Sequence, residues 1–339
     1  MLWFIILVLG VSLLLYLLMA GADFGAGVLE LFSSKKDFGK LRNLTYQAIG
    51  PIWEANHIWI ILVIVIFFMG FPKIYSVFST ALHIPILLML FGIIARGTAF
   101  TFRHYDAVKD HTQELYTKVF AYSSFFTPFF LGVCAGAVAS GKIELQASDF
   151  YHGFIAGWLN PFSIAVGFFT VCIVTYLSAV YMIGEANDEN LRGRFVRRAR
   201  NANIATIVAG GLVFLISVLD HIEFYKSFFN IISILCFMLA TIALPFLWLF
   251  LRFRRRWLSR LVAAFQVTAI LIAWEAALFP NVILLKDQQN LTFYNTAAPE
   301  ATLHSLTIAL IVGVLIILPL LYYLFKSFQK IELGKKYQD

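Results

Sequence analysis

The sequence predicts an all-α polytopic membrane protein with nine transmembrane helices, its N-terminus outside and its C-terminus in the cytoplasm. The chain of 339 residues is 60% hydrophobic and only 13% charged. Several stretches without an ionisable residue reach the ~20 residues that cross a bilayer. Lysine and arginine are concentrated in every second connection between those stretches, which indicates the orientation.

Nine apolar windows bounded by charged residues are the predicted spans. The first is expected to be a retained span, because its opening run lacks the basic start and the cleavage pattern of a signal peptide. The sixth window is the shortest, and Glu275 interrupts the eighth near its end. The windows are 2–31, 46–70, 74–101, 117–139, 160–183, 202–219, 227–251, 258–279 and 303–325.

The longer outer loop 140–159 separates four predicted spans from five. We therefore expect a single integral membrane domain over 1–339, made of two helical bundles and a final peripheral helix. The first four-helix bundle is expected over 1–140, the second over 160–285 and the ninth helix over 303–325.

The basic residues predict orientation rather than a nucleic-acid partner. Of the 26 lysines and arginines, 22 lie at or near the predicted inner ends of the spans, in five segments of the chain. The other four are spread singly over the remaining loops, as Lys73, Lys142, Lys226 and Lys286. Cytoplasmic loops carry such an excess, so the formal charge of +7 reports topology, and no nucleic acid is expected among the partners.

Two acidic residues are predicted to lie inside the membrane. Asp23 stands about 13 Å before the inner end of the first span, and Glu54 about 12 Å into the second. Adjacent antiparallel helices would thus hold both acids at one level, near Arg96 of the third span. An ionised side chain in hydrocarbon costs at least ~2.5–3.5 kcal/mol, so such groups normally face protein or water. Carboxyls held between burial and a nearby cation can exchange protons near neutral pH, which indicates a relay open to the cytoplasm.

Other interpretations of these residues stay open. Asp23 or Glu54 could pair with Arg96 only to lock three helices, which would make the chain a purely structural membrane subunit. An ion-coupled secondary transporter could use the same acids, but it calls for an inverted repeat with paired broken helices, and the sequence shows no such pair. His57 lies one turn from Glu54 and is a possible hydrogen-bond partner of that carboxyl.

No residue pattern predicts a metal site in this chain. The histidines lack paired i, i+4 spacing, and each cysteine stands alone in an apolar run, at Cys134, Cys172 and Cys236. The small residues of MAGADFGAG, residues 19–27, have the small-xxx-small spacing that favours close helix approach around Asp23. No P-loop, GxSxG or dinucleotide fingerprint is present in the sequence.

Five stretches together resemble subunit II of the cytochrome bd-type quinol oxidases. They are GADFGAGVLELF at 21–32, GPIWEANHIW at 50–59, ARGTAFTFRHY at 95–105, FPNVILL at 279–285 and LPLLYYLFKSFQKI at 318–331. The resemblance implies a subunit of an electrogenic quinol:oxygen oxidoreductase in the cytoplasmic (inner) membrane of a prokaryote. It implies a homologous partner, subunit I, which holds two b-type haems and one d-type haem, so that this chain ligates no cofactor. Quinone and membrane lipid are further implied partners, while a small single-helix subunit and the choice of ubiquinol or menaquinol stay open.

The resemblance also implies roles for the site residues. Asp23 matches the acid of the family's first motif, and Glu54 matches the acid of its PxWD motif, with Glu in place of the more familiar Asp. Arg96 matches the arginine that closes the third span, which faces haem propionates or the relay carboxylates. His57 stands where other members carry a non-ligating residue such as Gln. The implied role of the chain is to support subunit I and to contribute a cytoplasmic proton-uptake path for the reduction of oxygen to water by quinol.

Overall fold

The computed structural model describes residues 1–33, 42, 44–45, 53–105, 112–186 and 188–336. Within these ranges, nine helices are long and apolar enough to cross a membrane, which is the number predicted. The described residues are mainly helical, with short connections and one two-stranded hairpin.

Six described helices precede the long loop that follows residue 139. They are α1 (Leu2–Leu31), α2 (Trp53–Asn56), α3 (Ile58–Gly70), α4 (Pro72–Ala81), α5 (His83–Tyr105) and α6 (Thr112–Ala139). The helices α2 and α3 together form one candidate span, Trp53–Gly70, with a turn at His57. The predicted beginning of that span, residues 46–52, lies outside the described residues.

The third predicted span, 74–101, is wrong at its beginning. The helix α4 ends at Ala81, and the candidate span begins only at His83. Pro72 opens α4 and Pro85 lies in the first turn of α5, where a missing backbone N–H leaves no helical hydrogen bond unmade. The apolar residues of α4 continued the hydropathy window, but they belong to a separate short helix.

Seven helices and a hairpin follow α6 in the described part of the chain. They are α7 (Phe150–Phe154), α8 (Pro161–Glu185), α9 (Glu189–Leu219), α10 (Phe224–Ser227), α11 (Ile231–Arg252), α12 (Arg256–Leu278), β1 (Asn281–Ile283), β2 (Leu291–Thr292) and α13 (Glu300–Lys336). Side-chain oxygens of Asn160, Asp188 and Asn230 accept hydrogen bonds from first-turn N–H groups of α8, α9 and α11. These caps fix where three of the long helices begin.

The sixth span extends beyond its predicted window, 202–219. The helix α9 begins at Glu189, so the arginine-rich segment 192–200 is helical as well. Charged residues end a hydropathy window, but arginine is a good helix former and does not end a helix. The window therefore marked the apolar part of the helix rather than the whole of it.

The hairpin of β1 and β2 was not predicted, and it ties the ends of two spans together. Beside it, Leu284 N donates to Val138 O of α6 at 2.8 Å, and Ala298 N donates to Gly70 O of α3, also at 2.8 Å. Ile283 is fully buried in the same apolar cluster as residues of α3 and α6. The segment between α12 and α13 therefore closes this end of the molecule.

The helix α8 is central to the packing. It contacts α1, α6, α9 and α12, whereas α13 lies against α3 and α1. Small residues allow this, since a Cβ added at Gly136 of α6 would lie 2.6 Å from Ser163 Cα of α8. The second half of α1 is enclosed by these neighbours, and all residues from 20 to 30 except Ala22 are buried. Asp23 lies within this enclosed stretch.

Candidate functional site

Asp23 is buried between α1 and its neighbours. It is 5% exposed, and its carboxylate accepts a hydrogen bond from Nδ2 of Asn56 in α2. The glycines on either side of Asp23 let α6 and α8 approach α1 closely, so that the carboxyl is surrounded by protein. This is the environment in which an acidic side chain inside a membrane protein is normally found.

Arg96 of α5 reaches the same place and is 2% exposed. Its Nη2 donates to the main-chain oxygen of Asp23 at 2.9 Å, and its Nε donates to Ser124 Oγ of α6 at 3.1 Å. The guanidinium carbon lies 4.9 Å from the ring centroid of Phe24 and 5.2 Å from that of Phe120. Arg96 therefore ties α1, α5 and α6 together through the backbone of Asp23, while the Asp23 carboxylate bonds to Asn56.

Glu30 and Arg103 form a second buried contact between the same two helices. Arg103 Nη1 lies 2.7 Å from Glu30 Oε2, and the two side chains are 3% and 0% exposed. The Arg103 guanidinium also lies 4.2 Å from the ring centroid of Phe120. In contrast to Asp23, the Glu30 carboxylate is paired directly with a permanent positive charge.

The two contacts repeat along the helices. Arg96 and Asp23 are 73 residues apart, and so are Arg103 and Glu30. Seven residues within a helix span about two turns, roughly 10 Å, and equal offsets require α1 and α5 to run in the same direction. We call these four residues, Asp23, Glu30, Arg96 and Arg103, the charged ladder.

Arg42 closes the Glu30 end of the charged ladder. It is half-buried, and its Nη2 donates to the main-chain oxygen of Arg103 at 2.9 Å and to Gln113 Oε1 at 2.7 Å. A basic residue from the connection after α1 thus meets the end of α5 and the beginning of α6. The ladder therefore leads from a basic end of the molecule into the packed helices.

Glu54 shares the level of Asp23 but not its surroundings. It precedes Asn56, the partner of Asp23, by two residues in α2, an offset of about 3 Å along the axis. Residues two apart point to nearly opposite sides of a helix, and Glu54 is exposed whereas Asn56 is 1% exposed. On the exposed side of this span also lie Ile61 and Phe68, 57% and 55% exposed. The structure therefore brings Asn56, and not Glu54, to Asp23.

His57 marks the turn between α2 and α3. Its main-chain N donates to Glu54 O at 3.2 Å, but no hydrogen bond joins the two side chains in the described part of the chain. The imidazole packs against Tyr16, Phe24 and Trp53, with ring centroids 6.1, 6.1 and 6.5 Å away. Its Nδ1 is buried and has no hydrogen-bond partner among the described residues. The expected bond to the Glu54 carboxyl is thus not formed.

Sequence reasoning missed Glu30, Arg103 and Asn56. A signal for the first two was present, because Glu30 follows Asp23 by seven residues and Arg103 follows Arg96 by seven. The two acids therefore lie on one side of α1 and the two arginines on one side of α5. A contact between Asp23 and Arg96 thus predicts a second contact between Glu30 and Arg103. Asn56 carried no comparable signal, since its contact depends on how α2 is rotated about its own axis.

Possible metal ligands do not form a cluster among the described side chains. No group of three or more His, Cys, Asp or Glu that could hold a metal occurs within the described ranges. The imidazole of His57 is enclosed by aromatic rings, and the guanidinium of Arg96 lies between two rings and is hydrogen-bonded to Asp23 and Ser124. Of the two roles expected for Arg96, the geometry favours the one beside the carboxyl.

The fold and the charged ladder define an integral membrane protein with buried acids and arginines between its spans, a feature typical of proteins that move protons or ions. A family model described as cytochrome bd terminal oxidase subunit II matches residues 1–328. The chain belongs to this family. Its function is that of subunit II in a cytochrome bd quinol oxidase, a terminal oxidase complex of the respiratory chain. Family membership sets aside the secondary-transporter interpretation.

Individual relatives agree with the family. The chain is 25% identical over 318 residues to cytochrome bd ubiquinol oxidase subunit 2 of Bacillus subtilis, covering 91% of this chain and 89% of that one. It is 24% identical over 210 residues to cytochrome bd-I ubiquinol oxidase subunit 2 of Escherichia coli K12, covering 61% and 54%. The fold is similar to a chain in the structure of bd oxidase from Geobacillus thermodenitrificans, with a TM-score of 0.77, 22% identity and coverage of 96% and 97%.

Proposed function

We propose that this chain supplies part of a proton-uptake path from the cytoplasm to a haem-bearing subunit I, where quinol reduces oxygen to water. Asp23 is the buried carboxyl that takes up and releases the proton. Arg96 positions Asp23 and supplies a nearby positive charge, and Glu54 is the acid at which the path meets the partner. One observation carries the proposal: the Asp23 carboxyl is buried in a span and bonded to a neutral amide, beside an arginine that bonds to its backbone.

A carboxyl can relay protons only if neither of its charge states is held fixed. Glu30, by contrast, is bonded directly to the permanent positive charge of Arg103, with 2.7 Å between Oε2 and Nη1. Asn56 can instead donate through Nδ2 to the ionised form of Asp23, or accept through Oδ1 from the protonated form. The contrast assigns different roles to the two acids of α1, with Asp23 as the relay and Glu30 as part of a lock between helices.

The exposed position of Glu54 supports its contact with a partner. A carboxylate that faces lipid costs at least ~2.5–3.5 kcal/mol, and such groups normally face protein or water. Glu54 lies at the beginning of its described span, on the side where Ile61 and Phe68 are exposed. Subunit I covers this side of α2 and α3 in our proposal, so that Glu54 lies in the interface and the apolar residues beyond it provide the contact area.

The proposal includes the composition of the complex, which the resemblance to the family supports. The partner is a homologous subunit I with two b-type haems and one d-type haem, and quinol is the substrate of the complex. The chemistry of these haems is electron transfer and oxygen reduction, and this chain contributes proton transfer and support. The complex lies in the cytoplasmic membrane of a prokaryote, in contact with lipid and quinone.

The membrane topology is the second part of the proposal. The N-terminus is outside, the C-terminus is cytoplasmic, and the single membrane domain comprises two four-helix bundles over 1–140 and 160–285, with the ninth helix over 303–325 as a peripheral element. The contacts of α1 with α3 and α6, of α5 with α6, of α8 with α9 and α12, and of α11 with α12 support this grouping, while α8 also packs against α1 and α6 and so joins the two bundles. The basic residues of alternate connections support the orientation.

Cysteine labelling of intact cells tests this orientation. In a variant without Cys134, Cys172 and Cys236, Asp149→Cys is expected to react with a membrane-impermeant maleimide added outside, because it lies in the predicted outer loop. Arg255→Cys, in the predicted cytoplasmic connection of α11 and α12, is expected to react only after the membrane is opened. Both positions are exposed in the described chain. Reaction of Arg255→Cys in intact cells would reverse the proposed topology.

The substitution Asp23→Asn is expected to lower quinol-driven oxygen consumption by roughly 100-fold, the usual contribution of a positioned proton-transfer group. The amide is close in size to the carboxyl but cannot carry the proton. The measurement is oxygen consumption together with proton uptake, made on the whole complex in proteoliposomes. The haem absorption spectrum, recorded on the same preparation, shows whether the complex is assembled.

Glu275→Gln is the matched control for this experiment. Glu275 is also a partly buried acid in a span, but it lies in α12, outside the charged ladder. Its neutralisation is expected to leave turnover unchanged, whereas Glu54→Gln is expected to slow turnover. If Asp23→Asn gives an assembled complex with undiminished turnover, the chain is a purely structural subunit and the path does not run through it.

A further inference from the structure

Three polar residues recur along one side of α1. Tyr16, Asp23 and Glu30 follow each other at intervals of seven residues, and they are 2%, 5% and 1% exposed. Each interval is about two helical turns, roughly 10 Å, so this polar stripe is about 20 Å long. The charged ladder accounts for Asp23 and Glu30, but it does not account for Tyr16, which lies deeper in the helix and on the side of Asp23 away from Glu30.

Four buried polar atoms, one of Tyr16 and three of the segment 56–59 that packs beside it, have no hydrogen-bond partner among the described residues. They are Tyr16 Oη, Asn56 Oδ1, His57 Nδ1 and Trp59 Nε1. The rings of Tyr16 and His57 have centroids 6.1 Å apart, and Tyr16 and Trp59 belong to one buried cluster. Asn56 binds Asp23 through its other amide atom, so the group borders directly on the relay carboxyl.

The chemistry of these four atoms matches a bound water molecule. The tryptophan N–H is a donor, the amide oxygen is an acceptor, and the tyrosine hydroxyl and the imidazole nitrogen can act as either. Buried polar groups are almost always hydrogen-bonded, and a buried water needs two to four polar partners of both kinds.

A similar pair of atoms lies on the other side of Asp23. Glu30 Oε1 and Arg103 Nη2 are both buried and have no partner in the described ranges, although the two residues bond through their other atoms. An acceptor and a donor left over beside each other can be bridged by one water. The polar stripe therefore has unsatisfied positions before and after Asp23.

We propose that the polar stripe of α1 is the wall of a water column that continues past Asp23 to a water site bounded by Tyr16, Asn56, His57 and Trp59. The inference rests on the proposed proton path and extends it, since it names where the proton goes after Asp23. Asp23 is the fixed carboxyl in the middle of the column, with one water site toward Glu30 and one toward Tyr16. Tyr16 is a positioning residue that holds the second site.

Protons pass along such a column without net change in its members. A water beside the protonated Asp23 accepts its proton and releases another to the next oxygen, and Asp23 is then ionised and can be reprotonated from the Glu30 side. The hydroxyl of Tyr16 holds the orientation of the water by one hydrogen bond. Arg96, which lies close enough to interact electrostatically with Asp23, Tyr16 and His57, compensates the negative charge left at Asp23.

The first test is a structure of the complete oxidase at a resolution that shows ordered water. We expect density for at least one water within hydrogen-bond distance of two or more of the four atoms around Tyr16. The proposal is overturned if these atoms are bonded to groups of subunit I, or to each other, with no water between them. This test does not depend on any variant being folded.

The second test is proton uptake after the reduced whole complex is mixed with oxygen. Tyr16→Phe keeps the ring and removes the hydroxyl, and we expect uptake to slow about tenfold, the rate equivalent of one ordinary hydrogen bond, with an unchanged haem spectrum. Tyr122→Phe, at an exposed tyrosine of α6, is the control and is expected to have no effect. Normal uptake in Tyr16→Phe together with blocked uptake in Asp23→Asn would overturn the water site and leave the path through Asp23 intact. Normal uptake in both variants would overturn both.

Discussion

Arg103→Met is expected to destabilise the complex by about 3–5 kcal/mol, because it leaves the Glu30 carboxylate buried without its partner. The expected loss is large since both side chains of this pair are almost completely buried, and neither end can turn toward solvent. On a thermal unfolding curve it corresponds to a fall in midpoint on the order of 10 °C. The measurement is made on the purified complex, with the haem absorption as the readout.

The reverse change, Glu30→Gln, leaves the charge on Arg103 unpaired. Arginine stays charged at any accessible pH, so the unpaired guanidinium cannot become neutral. The free-energy cost of this buried, unpaired charge is partly offset by Phe120, whose ring centroid lies 4.2 Å from the Arg103 guanidinium. We therefore expect Glu30→Gln to destabilise the complex about as much as Arg103→Met does.

The double variant, Glu30→Gln with Arg103→Met, separates two free energies. One is the contribution of the ion pair to stability, and the other is the cost of a single buried charge without a partner. Replacing a buried ion pair as a whole is often nearly neutral, so the double variant is expected to be more stable than either single one. The exposed pair Glu114–Lys118 of α6, with its charged atoms 3.0 Å apart, serves as the control. A double-mutant cycle on this pair is expected to give an interaction free energy of less than about 1 kcal/mol. Additive losses in the Glu30–Arg103 cycle would contradict the interpretation that these residues act as a pair.

The same variants test the different roles of the two acids. If Glu30 belongs to the lock, Glu30→Gln lowers the thermal midpoint while the surviving complex turns over at nearly the normal rate, because glutamine keeps a side-chain oxygen that can accept a hydrogen bond from the water on this side of Asp23. Asp23→Asn is expected to do the opposite, since it retains the packing of the side chain and removes its proton. Stability and turnover therefore move separately for two acids that lie two turns apart on one helix.

The existence of the spans could be predicted because each is long, apolar and bounded by charge. The burial of Asp23 and Arg96 followed from the same reasoning, since a charged residue in a span has to face protein or water. Depth along a helix is also fixed by residue count, and Glu54 does lie near the level of Asp23. Rotation about the helix axis is not fixed by residue count in a span that is apolar on every side.

This limit accounts for the misplacement of Glu54 relative to Asp23. In a soluble protein the polar side of a helix shows which way it faces, but α3, Ile58–Gly70, which makes up most of this span, carries apolar residues all round. Its rotation is set by packing against α1 and by the turn at His57. The hairpin of β1 and β2 was missed for a related reason, because such short strands exist through their contacts with the ends of α3 and α6.

Gly25→Ala is expected to prevent assembly of most of the complex, although it adds only one methyl group. A Cβ at this position would lie 1.9 Å from the main-chain oxygen of Val174 and 2.7 Å from Ser178 Cβ, both in α8. Backbone atoms of a packed helix cannot rotate away, so α1 and α8 would have to separate. The cost is expected to exceed the roughly 1–3 kcal/mol of ordinary overpacking. The yield of haem-containing complex, purified through a tag on this chain, measures it.

Two other glycines of α1 make the experiment a graded series. An added Cβ at Gly21 would lie 3.2 Å from a side-chain carbon of Val174, and one at Gly10 would meet nothing within 4 Å. Gly21→Ala is therefore expected to reduce the yield slightly, and Gly10→Ala to leave it unchanged or to raise it, because alanine favours a helix by about 0.5–1 kcal/mol over glycine. Since Asp23 lies two residues from Gly25, any Gly25→Ala complex that does assemble should hold Asp23 out of reach of Asn56 and turn over slowly. Normal yield and turnover in Gly25→Ala would show that close approach of α1 to α8 is not what positions Asp23.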